Sequence, residues 1–222
     1  MGIVENLQKL AKQVPEHVTL VAVSKTKPDE MIMEAYRAGH RDFGENKVQD
    51  LASKQERLPK DIRWHMIGHL QSNKVKYLAS FVQMIHGVDS LKLLNVINRE
   101  AIKNHRVIDC LLQVHIASEE TKFGLSRDEL LEMVHSESFG ELENIRIRGV
   151  MGMASYTENS IQIREEFRQL KRIFEELKAS VFVNRLQFDQ LSFGMSGDYL
   201  LAIEEGSTMV RIGSLIFGSR NY

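Results

Sequence analysis

One lysine stands where an amine could do chemistry. Lys25 closes the stretch Val18-Thr-Leu-Val-Ala-Val-Ser-Lys-Thr-Lys-Pro28, an apolar and β-branched run too short for a helix and suited to a strand buried on both faces. Period-two alternation puts Thr19, Val21, Val23 and Lys25 on one side of it, with Leu20, Ala22 and Ser24 on the other. A lysine at that rim either escapes to solvent or is desolvated. In the second case its pKa falls from about 10.4 towards about 7, a loss of roughly 4–5 kcal/mol for the charged form, and the neutral amine can form a Schiff base.

The far end of the sequence offers a complementary set. Met209-Val-Arg-Ile-Gly-Ser214 places Met209, Arg211 and Gly213 on one alternating face, so Arg211 points inward just before Gly213 and Ser214. Phe193-Gly-Met-Ser-Gly-Asp198 brings Ser196 to the start of another helix. Two glycine- and serine-bearing helix starts make a cradle for a phosphate. Ser196 also suits an ordinary N-cap, and the spacing around Arg211 suits an ion pair equally well. Asn46, in Phe43-Gly-Glu-Asn-Lys47, can offer an amide to a ligand or cap a helix. His65 and His69 are split by Gly68, off any common helix face, and lack further ligands for zinc. His115 reads as rim packing. Cys110, the single cysteine, sits in an apolar run and reads as a buried packing residue without a disulfide partner.

The elements that must position these residues alternate. A helix over 3–13 precedes the first strand, and further strands are predicted at His40–Phe43, Ile62–Ile67, Val82–Val88, Ile108–Ile116, Ile145–Met151, Leu186–Phe193 and Thr208–Ile212. Between them helices are expected at Asp29–Ala38, Glu45–Arg57, Ser72–Ser80 and Ser90–Asn104. Others follow from the capping-box pattern at Ser126, over Asn159–Ala179, and over Ser196–Glu205, with a short one after the last strand. Eight strands alternating with helices fit a single (β/α)8 TIM barrel over residues 1–222, its first helix capping the bottom. Barrels of this kind carry their chemistry at the C-terminal strand ends, where Lys25 lies.

The net charge of −1 gives no basic field for nucleic acid or an anionic membrane. No segment resembles a secretion signal or reaches membrane-spanning length, and Asn6 breaks the myristoylation pattern begun by Met1-Gly2. A soluble, cytoplasmic protein is expected, and no apolar surface stripe argues against a monomer.

Taken together, Ala22-Val-Ser-Lys-Thr-Lys-Pro28, Phe43-Gly-Glu-Asn46, Trp64-His-Met-Ile-Gly-His-Leu-Gln-Ser-Asn-Lys74, Gly194-Met-Ser-Gly-Asp198 and Gly206-Ser-Thr-Met-Val-Arg-Ile-Gly213 resemble the pyridoxal phosphate homeostasis proteins. These are similar to the N-terminal barrel of alanine racemase. The resemblance covers nearly the whole chain. It implies that Lys25 carries pyridoxal 5′-phosphate (PLP) as a Schiff base and that Arg211 faces the pyridine nitrogen. It also implies that Ser196, Gly213 and Ser214 hold the phosphate, with Asn46 nearby. His115 departs from the asparagine usual after Gln-Val in that family, and Phe193 replaces a common methionine.

The function so implied is storage or delivery of PLP, within vitamin B6 and amino-acid homeostasis and without a committed reaction, PLP-requiring apo-enzymes being the recipients. A weak racemase-like or transaminase-like enzyme is the alternative, and an unrelated phosphate-sugar enzyme a third reading. Against the racemase, the sequence ends at Ser219-Arg-Asn-Tyr222 with no second domain expected to supply an opposing acid or base. An arginine also cannot accept the proton that makes the pyridine ring a strong electron sink.

Overall fold

The computed structural model describes residues 2–119 and 123–218, so Met1, Glu120–Lys122 and Ser219–Tyr222 lie outside the described residues. Helix α1 (Ile3–Ala11) leads into β1 (Thr19–Val23), α2 (Asp29–Arg37), β2 (Asp42–Glu45), α3 (Val48–Arg57) and β3 (Arg63–Met66). A 3₁₀ turn (Ser72–Tyr77) precedes β4 (Met84–Val88), α4 (Leu91–Lys103), β5 (Ile108–Gln113), α5 (Arg127–His135) and α6 (Glu137–Gly140). The rest is β6 (Ile145–Met151), α7 (Ser160–Ser180), β7 (Gln190–Met195), α8 (Tyr199–Glu204), β8 (Met209–Ile212) and α9 (Ser214–Phe217). The strands run parallel in chain order, and β8 pairs with β1 to close the ring. This is the expected (β/α)8 barrel.

Each strand has two differently filled faces. Outward residues such as Ala22, Phe43, Trp64, Ile85 and Val150 join one large core beneath the helices. Inside the ring, a smaller cluster consists of Val21, Met84, Leu111, Met151 and Met209. Unbranched methionines fill that tapering interior where branched residues are the more usual choice. The interior also holds polar groups. Nδ1 of His65 lies 2.9 Å from Nε2 of His86, and Nε2 of His65 lies 3.1 Å from an Asp42 oxygen. Burial works to raise the Asp42 carboxyl, but hydrogen bonds from Arg63 and His65 outweigh it and hold it well below the usual carboxylate range.

Local chemistry explains most element ends. Ser126 and Glu129 exchange hydrogen bonds as a full capping box, Ser90 caps α4 by accepting from Leu93 N–H, and Asn159 caps α7. Several expected boundaries move, β4 starting at Met84 and β5 ending at Gln113 among them, and three of the shifts bear on the site. Glu45 ends β2 instead of opening a helix, so α3 starts at Val48. Strand β7 starts at Gln190 rather than Leu186, whose side chain is 92% exposed. Helix α8 starts at Tyr199 with Asp198, not Ser196, in the cap position. Between β7 and β8 the register shifts from Ser192 to Met195. Gly194 lies within that irregularity at φ +98, where an added Cβ would come within 2.5 Å of Ala202 Cβ.

Candidate cofactor cavity at the C-terminal strand ends

Beyond the strand ends lies a cavity of about 820 Å³, a size typical of small-molecule sites. Its wall is made by the segments that follow most of the strands. Lys25, Asn46, Ser196, Arg211, Gly213 and Ser214 all line it, so the six residues singled out in the sequence meet around one space. The ring closure does this. Val21 and Arg211 are register partners across the β1–β8 seam, although 190 positions separate them.

Lys25 lies past the strand, in a tight turn, rather than on the strand itself. Ser24 carbonyl accepts from Lys27 N–H at 3.0 Å, closing a four-residue turn with Lys25 and Thr26 at its centre. Thr26 takes φ +65, an unfavourable conformation for a β-branched residue. The second lysine on the wall, Lys27, is engaged elsewhere, donating to Phe217 and Gly218 carbonyls at 3.1 and 3.2 Å.

Arg211 is buried at 4% exposure. It donates to Ser192 Oγ at 2.6 Å, to Ser192 carbonyl at 3.2 Å and to Gly152 carbonyl at 3.1 Å. These acceptors are neutral, so the ion-pair reading of Arg211 gives way to a cation held by dipoles. Burial pushes its guanidinium down to about 10, with Asp198 charge working the other way, and it stays protonated at neutral pH.

Ser196 does not cap α8. Its Oγ accepts from Gly213 N–H at 3.2 Å, tying the β7 loop to the β8 loop. The cap-position residue, Asp198, turns its carboxylate back to accept from Met195 N–H. Gly213 and Ser214 stand at the start of the four-residue α9, as expected from the sequence, whereas Ser196 lies in the loop ahead of the six-residue α8. Asn46 follows β2 directly, and its backbone is so close to Gly68 that a Cβ there would meet Asn46 carbonyl oxygen at 2.4 Å.

Several wall residues carried no signal beforehand. Gln113 faces the cavity and donates to Phe123 carbonyl at 2.9 Å, whereas His115, read from the sequence as rim packing, bonds Glu119 carbonyl and is not on the wall. His69 does line the cavity, stacked on Phe123 at 4.3 Å, apart from His65 below it in the barrel. No helix among the described residues is long and apolar enough to cross a membrane. Cys110 is fully buried, which raises its thiol far above the ordinary range and makes it inert.

The donor set fits a phosphorylated pyridine aldehyde. There is an amine for the carbonyl, a guanidinium for the ring nitrogen, and hydroxyl and amide groups for the phosphate. Comparison with known proteins agrees. The model of the alanine racemase N-terminal domain matches residues 2–221. The pyridoxal phosphate homeostasis protein of Aquifex aeolicus (strain VF5) is 41% identical over 224 residues, covering 99% of this chain and 96% of its own. Among solved structures, PipY of Synechococcus elongatus PCC7942 with PLP bound has a TM-score of 0.89 at 36% identity, covering 97% of this chain and all of that one. Alanine racemase of Clostridium difficile 630 shares the fold at a TM-score of 0.75 and 13% identity, and this chain covers 57% of its length. From motif order, barrel topology and full-length similarity together, the chain belongs to the family of pyridoxal phosphate homeostasis proteins, built on the alanine racemase N-terminal domain.

Proposed function

We propose that this chain holds PLP covalently on Lys25 and hands it on, without a committed reaction of its own. The observation that carries the reading is that Lys25 and the buried Arg211 share one cavity wall with the tied Ser196 and Gly213. The PLP-bearing relative PipY supports the choice of cofactor. On loading, the Lys25 amine adds to the cofactor aldehyde, a C=N bond replaces C=O and the oxygen leaves as water, which makes a Schiff base that exchange with another amine can reverse. Ser196, Gly213 and Ser214 would hold the phosphate, and Asn46 would contact the ligand from the β2 side.

Arg211 keeps the bound group chemically quiet. It can donate to the ring nitrogen but cannot give it a proton partner, and its charge disfavours a second positive charge nearby. Electron withdrawal into the ring stays weak, while amine exchange, which needs no carbanion, stays open. That combination suits a cytoplasmic carrier that acts as one 1–222 barrel and a monomer, with PLP-requiring apo-enzymes as recipients.

The test is a visible spectrum of the PLP-loaded protein with borohydride trapping and peptide mapping. The adduct is expected on Lys25 and lost in Lys25→Ala. A parent-level adduct on Lys27 or Lys74 instead removes the assignment. The weak-enzyme alternative is separated by Arg211→Glu: in a folded, loaded variant, an added amino acid should bleach the visible band faster than in the parent. An unchanged rate would count against the quieting role.

A further inference from the structure

Behind the Lys25 turn, on the side away from the cavity, lies a buried charge cluster. Lys54 of α3 is 6% exposed and Glu45 of β2 is fully buried. Lys54 Nζ donates to Glu45 Oε1 at 2.7 Å and to Ser24 carbonyl at 2.9 Å. Ser24 Oγ donates to the same Glu45 oxygen at 2.6 Å, and Ser24 N–H donates to Gly44 carbonyl at 3.0 Å. Ser24 carbonyl is thus held twice, by the Lys54 ammonium and by Lys27 N–H across the turn.

Such a pair is an expensive way to gain stability, because apolar residues of similar volume often do as well or better. Its cost is visible here. Burial pushes the Glu45 carboxyl up despite Lys54 and Ser24, and Glu45 Oε2 has no hydrogen-bond partner among the described residues. The turn that it grips is itself strained at Thr26, an exposed residue with no packing reason for φ +65. Strained backbone persists only where its surroundings over-determine it.

We propose that Lys54 and Glu45 are positioning residues: they clamp Ser24 so that the strained Ser24–Lys27 turn keeps Lys25 at one place on the cavity wall. The inference rests on the reading of Lys25 as the attachment lysine. Attachment within a complex depends on how well the amine is fixed relative to the phosphate-holding segments, and a small displacement lowers it by orders of magnitude. Helix α3 and strand β2 thereby take part in cofactor attachment without touching the cofactor.

The experiment uses Lys54→Met/Glu45→Gln, which removes both charges at nearly constant volume and leaves no unpaired carboxylate. At saturating PLP, the fraction trapped on Lys25 by borohydride should fall about 10- to 100-fold, the scale of a misplaced reacting group. In a Lys25→Ala background the same pair of changes should leave non-covalent PLP binding unaltered. Adding Thr26→Gly, which favours positive φ, should restore much of the trapping. A folded double variant that traps at the parent level, or a loss that Thr26→Gly does not relieve, overturns the clamp. Should the double variant fail to fold, Ser24→Ala keeps the ion pair and removes only the hydroxyl tie. It should lower trapping by about 10-fold, the loss of one hydrogen bond to a charged group, and unchanged trapping there overturns the clamp too. If the parent itself shows no adduct on Lys25, it is the carrier reading that fails.

Discussion

Two buried cations, Lys54 and Arg211, lie on opposite faces of the same small barrel and solve the same electrostatic problem differently. Lys54 reaches in from α3 to the outer side of the barrel wall and has a carboxylate at 2.7 Å. Arg211 faces inward at the cavity and leans on a hydroxyl and two carbonyls. A charge neutralised inside the protein has nothing left to offer a ligand, and serves by holding the backbone. A charge whose hydrogen-bond partners are all neutral still attracts an electron-rich partner. His86, within reach of Arg211's field, takes a third course. Burial first, then the charges of His65 and Arg211, pull its pKa down, so it answers by staying neutral.

The contrast can be broken most forcefully at Lys54. Lys54→Met alone strands the Glu45 carboxylate and should lower stability by about 3–5 kcal/mol, measured by denaturant unfolding. Adding Glu45→Gln should recover most of that loss; if it does not, the cluster is not an ion pair in the sense argued. At Arg211 the balance is reversed. Arg211→Met should leave a folded barrel but weaken PLP retention about 10- to 100-fold in equilibrium dialysis, the worth of one charged hydrogen bond. Retention at the parent level would mean that its charge is spent on structure.

His86 sharpens the comparison through pH. Its folded pKa lies below its unfolded value, so below about 6.5 the unfolded chain takes up a proton that the folded one refuses. Stability should therefore be full above that pH and fall as the solution is acidified, by up to about 1.4 kcal/mol per pH unit for each such histidine. His40, also lowered by burial, contributes with the same sign. His86→Gln should roughly halve the slope of melting temperature between pH 7 and pH 5, and an unchanged slope would assign the effect elsewhere. The smallest effect is expected at Ser196→Ala, which removes the acceptor for Gly213 N–H and should cost about 1 kcal/mol, with a modest loss of PLP retention.

How much of this could be read in advance follows the same division. Arg211 was legible because it lies in a short apolar strand, where alternation fixes the face, and Lys25 because it follows the C-terminal end of another. The pairing of Val21 with Arg211 then follows from ring closure. Lys54 was not legible. It lies in a polar stretch read as an ordinary solvated helix, and its partners are 9 and 30 residues away. The packing of α3 against the barrel, which brings Lys54 to Ser24 and Glu45, buries it. The β7 boundary failed for another reason. Leu186 looked like a strand start, yet it is exposed, and Gly194 bends the true strand so that Ser196 reaches β8 instead of capping α8. Side-chain type marks the cavity-facing groups, while the supports behind them depend on how layers stack.

The seam between β1 and β8 also sets a timetable. Lys25 leaves the ribosome early, whereas Arg211 emerges 186 residues later, about 10–40 s at ordinary synthesis rates. Until then β1 has an open edge, and the wall beside Lys25 that carries Arg211 does not exist. A nascent chain cannot acquire the cofactor piecemeal, strand by strand. If Lys25 is the attachment lysine, loading is a post-closure event, and a trapped cofactor doubles as a sign that the last strand has found the first.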